Sequence, residues 1–294
     1  INESTGKIYI NGNDSIGVQL SGGSVLENYG LIEVTAGTIG SMQIVTGDPA
    51  YTPPSIINAG VIKVDEKFEL DGLNLIIKPD PESFRAPTME ELIKNEYALE
   101  DINAGFLLSN KVNIAAPSFD FGNNTVGIDP LFTQGTNARV YKFENVFDPT
   151  TPEGGPNTGK VAVKSGSLTF DAIPVTNDKG KIDIWMEKIN YNEFTQGSWQ
   201  NEFAGNIEGN YLNATGDALK LYDRLDLITE KNELYKRFDQ LAGSVYANIN
   251  QRESDIAGVF ENSLYLLQDS KNNTKENVKI NVIAGKGIQN EKTD

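Results

Sequence analysis

One short acidic segment carries the side chains best suited to catalysis. Its carboxylates are interleaved with Lys67 and Phe68 in a predicted strand region. A glycosidase needs two carboxyl groups about 5–10 Å apart, and Arg85 or Arg139 could hold the acidic groups of a sugar chain. The alternation with Lys67 and Phe68 is more typical of a solvated strand face, so we predict no catalytic residues. The carboxylates concerned are Asp65, Glu66, Glu69 and Asp71.

Two residue types with frequent catalytic and metal-binding roles are missing. The 294-residue chain contains no Cys and no His. A Ser-His-Asp triad, thiol catalysis and zinc sites with thiolate or imidazole ligands are therefore excluded. EF-hand loops and the Gly-Gly-x-Gly-x-Asp repeats of calcium β-rolls are also absent. We predict no cofactor and no structural metal.

The charge balance is strongly acidic. Lys and Arg total 25, Asp and Glu total 41, and the net charge is −16. Such a surface repels the phosphate backbone of nucleic acids and anionic lipid headgroups. We therefore predict no nucleic-acid partner.

A short motif, Gly-x-(Ile/Val/Leu)-x-(Ile/Val/Ser), recurs along the chain. Three copies have an asparagine two residues before the glycine, which predicts equivalent turns whose amide side chains stack on one another. Gly6 and Gly30 are 24 residues apart and Gly30 and Gly60 are 30 apart, in the range of solenoid repeats, and longer gaps predict loops that leave the stack. The paired positions are Asn28 and Gly30, Asn58 and Gly60, and Asn103 and Gly105.

These repeats predict the fold class. Short alternating strands cannot bury their own apolar faces, whereas stacked copies can. We predict an all-β protein with a C-terminal α-helical segment, namely a right-handed, single-stranded parallel β-helix. Its rungs would occupy residues 1–158, with loop insertions at 79–101 and 148–158. In the first insertion, Thr88 and Glu91 form a capping-box pattern that predicts a short helix.

The next segment, residues 159–213, is predicted to close the open end of the stack. It contains both tryptophans, Trp185 and Trp199. Terminal repeats of a solenoid are atypical because they must cover an exposed core. Within it, residues 194–209 are predicted to be looped aromatic packing. The alternative to a cap is that the aromatic residues of 159–205 form a platform that binds carbohydrate.

Residues 214–270 have helical periodicity. An apolar stripe would run along one helix face, interrupted by Gly243 and Gly258. Residues 271–294 are predicted to be a polar linker followed by a short strand, which would be the opening strand of a further domain. The stripe includes Leu234, Phe238, Leu241, Val245 and Ile249.

The order of strands, aromatic cap, long helix and final strand resembles the passenger-to-barrel junction of type Va autotransporters, and most of all the large fusobacterial autotransporter adhesins. The resemblance lies in residues 238–247, Phe-Asp-Gln-Leu-Ala-Gly-Ser-Val-Tyr-Ala, and in residues 278–285. It implies that the helix threads the barrel pore and that residues 271–294 contain a linker and the start of a truncated outer-membrane β-barrel. It also implies that residues 159–205 seed folding of the passenger outside the cell.

Three functions follow as hypotheses. The first is a non-catalytic adhesin stalk with its secretion junction, placed at the bacterial cell surface or outer membrane. Its partners would be a host or microbial surface protein or glycan, and its own outer-membrane β-barrel. The second is a β-helical polysaccharide lyase or glycosidase, and the third is a tail-fibre solenoid that trimerises through its C-terminal helix.

Overall fold

The computed structural model describes residues 1–41, 52–70, 72–94, 105–151, 161–243, 254 and 256–262. The chain divides into two compact units, residues 1–237 and residues 238–294. All strands described below belong to the first unit. Strands and helices are numbered in chain order.

The largest sheet of the described residues has eight strands. Its neighbours run in the order β1, β3, β5, β9, β12, β15 and β14, and β8 also pairs with β12. The pairs from β1 to β12 are parallel, whereas β15 is antiparallel to both β12 and β14. The bounds are β1 Lys7–Leu20, β3 Leu31–Ser41, β5 Val61–Val64, β8 Phe106–Ser109, β9 Asn113–Ala116, β12 Val140–Pro149, β14 Phe170–Thr176 and β15 Ile182–Lys188.

Two smaller sheets complete the strand layers of the described residues. The five-stranded sheet has the order β13, β11, β7, β4 and β2, and the two-stranded sheet pairs β6 with β10. All of these pairs are parallel. The bounds are β2 Val25–Asn28, β4 Ser55–Asn58, β6 Phe68–Glu69, β7 Asn74–Ile77, β10 Phe119–Asp120, β11 Thr125–Ile128 and β13 Ala162–Ser165.

One hydrophobic core is shared by the three sheets. Alternate residues of the short strands are buried, as in β4 and β7, because successive side chains point to opposite faces of a strand. The large sheet contributes Ile32 and Ile62, the five-stranded sheet Ile56 and Ile77, and the two-stranded sheet Phe68. Each of these side chains stabilises the fold by about 1.5–3 kcal/mol through its burial.

The predicted fold class, a right-handed single-stranded parallel β-helix, is wrong. The largest sheet is mixed, because β14 and β15 form an antiparallel hairpin and β15 then pairs antiparallel with β12. The hairpin turns at Asn177, whose side-chain oxygen accepts from the backbone N–H groups of Lys179 and Lys181, both at 3.1 Å. Gly180 completes the turn with φ +75°, a conformation that glycine adopts without strain.

Helices α2 to α5 follow the last strand, whereas α1 lies between β7 and β8. The predicted loop at residues 194–209 is largely helical instead, since α3 occupies most of it and buries Ala204 and Glu208. The named helices are α1 Met89–Lys94, α2 Tyr191–Phe194, α3 Gln200–Gly209, α4 Asp217–Leu225 and α5 Lys231–Leu241, and the 3-10 turns are Pro81–Ser83, Pro130–Thr133 and Tyr211–Asn213. Residues 256–262, in the second unit, are also helical.

The predicted helical stripe is not one continuous helix in the described residues. Helix α5 ends at Leu241, and Gly243 follows with φ +76°. Leu234 and Phe238 are buried, whereas Leu241 is 40 % exposed. Val245, Ile249 and the predicted strand in 271–294 lie outside the described residues. No helix within the described ranges has both the length and the apolar character needed to cross a membrane.

Candidate functional site

The acidic segment proposed for sugar cleavage is an exposed ion-pair network. Lys67 Nζ lies 2.8 Å from Glu69 Oε1 and 2.9 Å from Asp120 Oδ2 on the neighbouring strand β10. Hydrogen bonds to Glu69 and Asp120 raise the pKa of Lys67 above its ordinary value. Asp65 and Glu66 are exposed, and Asp71 lies outside the described residues. Lys67 thus neutralises charge on a solvated strand face.

The two candidate arginines are bound to carboxylates outside the acidic segment, Arg85 to Glu91 and Arg139 to Glu208. Arg85 donates two hydrogen bonds to Glu91, at 2.8 and 2.6 Å. Glu91 also accepts from the Thr88 N–H at 2.8 Å, and its own N–H donates to Thr88 Oγ1 at 3.3 Å. The predicted capping box is therefore present at the start of α1. The Arg85 hydrogen bond, followed by that of the Thr88 N–H, lowers the pKa of Glu91 to about 2.

Across the described part of the chain, no three Asp or Glu side chains are grouped closely enough to hold a metal ion. The expectation that the protein needs no structural metal stays a prediction.

The structure brings together two of the three predicted asparagines and adds a third that sequence reasoning missed. Asn2 Nδ2 donates to Asn28 Oδ1, and Asn28 Nδ2 donates to Asn58 Oδ1, both at 2.8 Å. Asn58 Nδ2 is the last donor of the series and donates to the Gly60 carbonyl oxygen at 3.1 Å. All three side chains are buried, and Asn103 lies outside the described residues. Asn2 lacks a following Gly-x-apolar motif at the same spacing, so no pattern marks it.

The glycines beside these asparagines allow the backbones to touch. A Cβ atom on Gly60 would lie 2.2 Å from the Gly30 carbonyl oxygen, and one on Gly30 would lie 2.2 Å from the Gly6 carbonyl oxygen. Gly105 differs, because its φ is +75° and its neighbours are Leu212 and Ala138. Only a residue without a side chain fits at Gly30 and Gly60.

The two tryptophans occupy different environments. Trp185 in β15 stacks on Phe106, with ring centroids 5.5 Å apart and planes 7° apart, and the Lys142 ammonium lies 5.4 Å from its ring. Trp199 precedes α3 and is 59 % exposed. Trp185 therefore packs in the fold, whereas Trp199 offers an aromatic surface to solvent.

A buried ionic cluster, which sequence reasoning missed entirely, lies where β15 meets the helices. Lys188 is the last residue of β15, Glu208 belongs to α3, and Asp226 directly follows α4. Lys188 Nζ lies 3.5 Å from Asp226 Oδ1 and 3.8 Å from Glu208 Oε2. The exposed side-chain fractions are 0 % for Lys188, 8 % for Glu208 and 1 % for Asp226.

Hydroxyl groups surround the Asp226 carboxylate. Oδ1 accepts from Thr169 Oγ1 and from the Tyr191 hydroxyl, and Oδ2 accepts from the Tyr211 hydroxyl, all at 2.7 Å. The Lys188 ammonium also lies 3.6 Å from the Tyr191 ring centroid and 4.9 Å from that of Tyr211. A buried charge is tolerated only with such partners.

Glu208 joins the cluster to a second cation. One oxygen pairs with Arg139, and the other accepts from the Tyr191 backbone N–H at 2.9 Å. Arg139 also donates to Asn190 Oδ1 at 2.7 Å. Two cations, Arg139 and Lys188, thereby face two carboxylates. The residues come from distant parts of the sequence, so no local motif could have revealed them.

Burial perturbs the titration of this cluster. Desolvation lowers the pKa of Lys188, against the opposing attraction of Asp226 and Glu208. Desolvation also raises the pKa values of Tyr191 and Tyr211 well above the ordinary value, and the Asp226 charge adds to the effect. The neutral forms of Lys188, Tyr191 and Tyr211 are therefore more favoured here than they are for the same side chains in water.

A shallow surface depression of about 400 Å³ lies elsewhere on the first unit. Leu107 and Leu212 line it, together with Gly105 and residues 135–138. No Asp, Glu, Lys or Arg is among these lining residues, so the depression offers contact area without acid–base chemistry.

The comparison with known families gives one match. Residues 101–190 match the model of the BigA beta sandwich domain. This is a domain of bacterial surface and adhesin-type proteins, and the match indicates a surface-associated, adhesin-like protein. A β-sandwich match also counts against the predicted parallel β-helix. No curated protein and no solved structure matches the chain.

Proposed function

We propose that this chain is a non-catalytic part of a bacterial surface adhesin and that it binds a protein or glycan on a host or microbial surface. The observation that carries the proposal is the match of residues 101–190 to an adhesin-type β-sandwich domain. The net charge of −16 favours a partner other than nucleic acid.

The state of the candidate catalytic groups supports a binding role over sugar cleavage. Lys67 bridges Glu69 and Asp120, and Arg85 is held by Glu91. The acid of a glycosidase is a carboxyl group that faces a second carboxyl group across the scissile bond. Glu69 instead has an exposed side chain paired with a cation.

Trp199 is the residue that we propose for ligand contact. It is 59 % exposed, and exposed tryptophans are frequent anchors at binding surfaces because they combine large area with few rotatable bonds. The same indole could stack on a sugar ring or fill a pocket on a protein.

The test is an adhesion measurement with the full chain coupled to beads. Beads are counted on host epithelial cells and on bacterial cells, before and after the targets are treated with protease or with glycosidases. We expect the wild-type chain to bind and Trp199→Ala to bind several-fold less. Val25→Ala is the matched control, because Val25 is 53 % exposed on β2.

Two results would overturn the proposal. One is the absence of bead binding to every target. The other is release of oligosaccharides from a glycan panel by the wild-type chain but not by Glu69→Gln, which would restore the polysaccharide-cleaving alternative.

We also propose a folding role during export, on the resemblance to type Va autotransporters. Residues 161–230 would fold first and template the preceding strands, because the buried cluster fixes β15 to α3 and α4. Pulsed hydrogen exchange during refolding should protect β15 before β3 and β5. Earlier protection of β3 and β5 would contradict this order.

A further inference from the structure

We propose that Lys188 and Asp226 form an intramolecular amide cross-link, with Glu208 as the group that carries the proton. The three side chains already lie together, with the Lys188 Nζ atom 3.5 Å from Asp226 Oδ1 and 3.8 Å from Glu208 Oε2. Oδ1 is bonded to Cγ, the carbon atom that Nζ would attack, so the nucleophile is held beside its target. Such placement supplies much of the rate advantage of an intramolecular reaction.

The reaction balances without any co-reactant. The ammonium of Lys188 gives one proton to Glu208, and the neutral Nζ attacks Cγ of Asp226. A C–N bond forms and a C–O bond breaks. The departing oxygen takes the proton from Glu208 and a second proton from nitrogen, and leaves as water. An ammonium and a carboxylate thus become one neutral amide and one water molecule.

The surroundings favour each part of this step. The Tyr191 and Tyr211 hydroxyl groups donate to opposite oxygens of Asp226, so they can stabilise the negative oxygen of a tetrahedral intermediate. Burial favours neutral nitrogen on Lys188. Exclusion of bulk water favours condensation over hydrolysis. The condensation also removes two buried charges, each of which carries a desolvation cost.

A second lysine in the same unit provides an internal comparison. Lys142 Nζ lies 3.0 Å from Asp183 Oδ2 and 3.4 Å from Glu144 Oε1. Its side chain retains 9 % exposure, and Asp183 accepts from the Asn145 backbone N–H and the Asn177 amide rather than from hydroxyl groups. We therefore expect reaction at Lys188 and none at Lys142.

Intact-mass spectrometry of the purified, denatured full chain tests the proposal. We expect a mass lower than the sequence mass by one water molecule. Tryptic digestion should yield a branched peptide that joins Lys188 to Asp226, with no cleavage after Lys188. Lys188→Arg should restore the full sequence mass, whereas Lys142→Arg should keep the loss of one water.

Asp226→Asn gives a second test that does not depend on losing a reactive group. An asparagine would form the same amide by releasing ammonia, so cross-linked wild type and cross-linked Asp226→Asn should have identical masses. Glu208→Gln should remain largely uncross-linked, and circular dichroism checks that this variant has folded.

Three outcomes would overturn the inference. They are a wild-type mass equal to the sequence mass in the folded full chain, a branch point at Lys142 and Asp183, and cross-linking of Glu208→Gln at the wild-type rate. The last result would remove Glu208 from the reaction.

Discussion

The Asn28 side-chain amide donates to Oδ1 of Asn58 at 2.8 Å, and both side chains are fully buried. The two residues also pair directly in the register of β2 and β4. The amide of one asparagine therefore donates a hydrogen bond to the amide oxygen of the next across neighbouring strands. These bonds hold the backbones at a fixed separation.

Removing one member of this series should leave a buried polar group without one of its hydrogen-bond partners. We expect Asn58→Ala to lower the free energy of unfolding by about 1–3 kcal/mol, because the buried Asn28 amide loses one of its two acceptors and keeps only the Val61 carbonyl. Urea denaturation followed by circular dichroism measures this change. Asn74→Ala on the exposed face of β7 is the control, and equal stability of the two variants would contradict the expectation.

The close approach of the glycine backbones predicts a second effect. We expect Gly60→Ala to destabilise the protein by about 1–3 kcal/mol or more, since its Cβ would lie 2.2 Å from the Gly30 carbonyl oxygen and backbone must move.

Gly205→Ala is the matched control for Gly60→Ala. Gly205 lies within α3, and a Cβ there meets nothing within 4 Å. This change should stabilise the protein by about 0.5–1 kcal/mol through helix propensity. Thermal unfolding of both variants shows whether the signs are opposite, and a shared sign would count against the steric argument.

The Arg85–Glu91 pair predicts an acid-sensitive helix. The folded pKa of Glu91 is depressed to about 2 from an ordinary 4.5, so its contribution to stability is complete above pH 4.5 and is lost as the pH falls toward 2. NMR titration of the Glu91 carboxyl should give this low pKa. Arg85→Gln should raise it toward 4.5, and an unchanged midpoint would show that Arg85 is not the cause.

The buried tyrosines predict sensitivity to alkali. Folded pKa values of Tyr191 and Tyr211 are raised, so these residues favour the folded state below their unfolded pKa near 10, and this contribution disappears as the pH rises above it. Tyrosinate absorbance should show their ionisation only when the protein unfolds. Tyr191→Phe should remove one late-ionising group, whereas reversible early ionisation of both residues would refute their burial.

Local features of the fold could be predicted from the sequence. Thr88 and Glu91 form the expected capping box because its hydrogen bonds join residues only three positions apart. The Gly-x-apolar motif located β3 and β5, since alternation and a preceding turn are local properties. Asn28 and Asn58 could be paired because the same turn occurs twice.

Properties set by distant residues could not be predicted. The direction of β15 depends on the turn between Asn177 and Gly180, which the motif does not encode. Helix α3 was missed because its residues have weak amphipathicity, and its buried Glu208 is stabilised by Arg139 from another part of the chain. The cluster around Lys188 depends on three-dimensional packing, for which sequence spacing gives no signal.

Strand β14 is an edge strand of the large sheet and pairs only with β15 among the described strands. Pro174 lies in its middle and supplies no N–H, and Asp171 adds a charge. A strand of a neighbouring molecule that paired with β14 would lack a hydrogen-bond donor at Pro174. At a crowded bacterial surface, β14 should therefore resist edge-to-edge pairing between adjacent copies of the chain, and with it the growth of fibres.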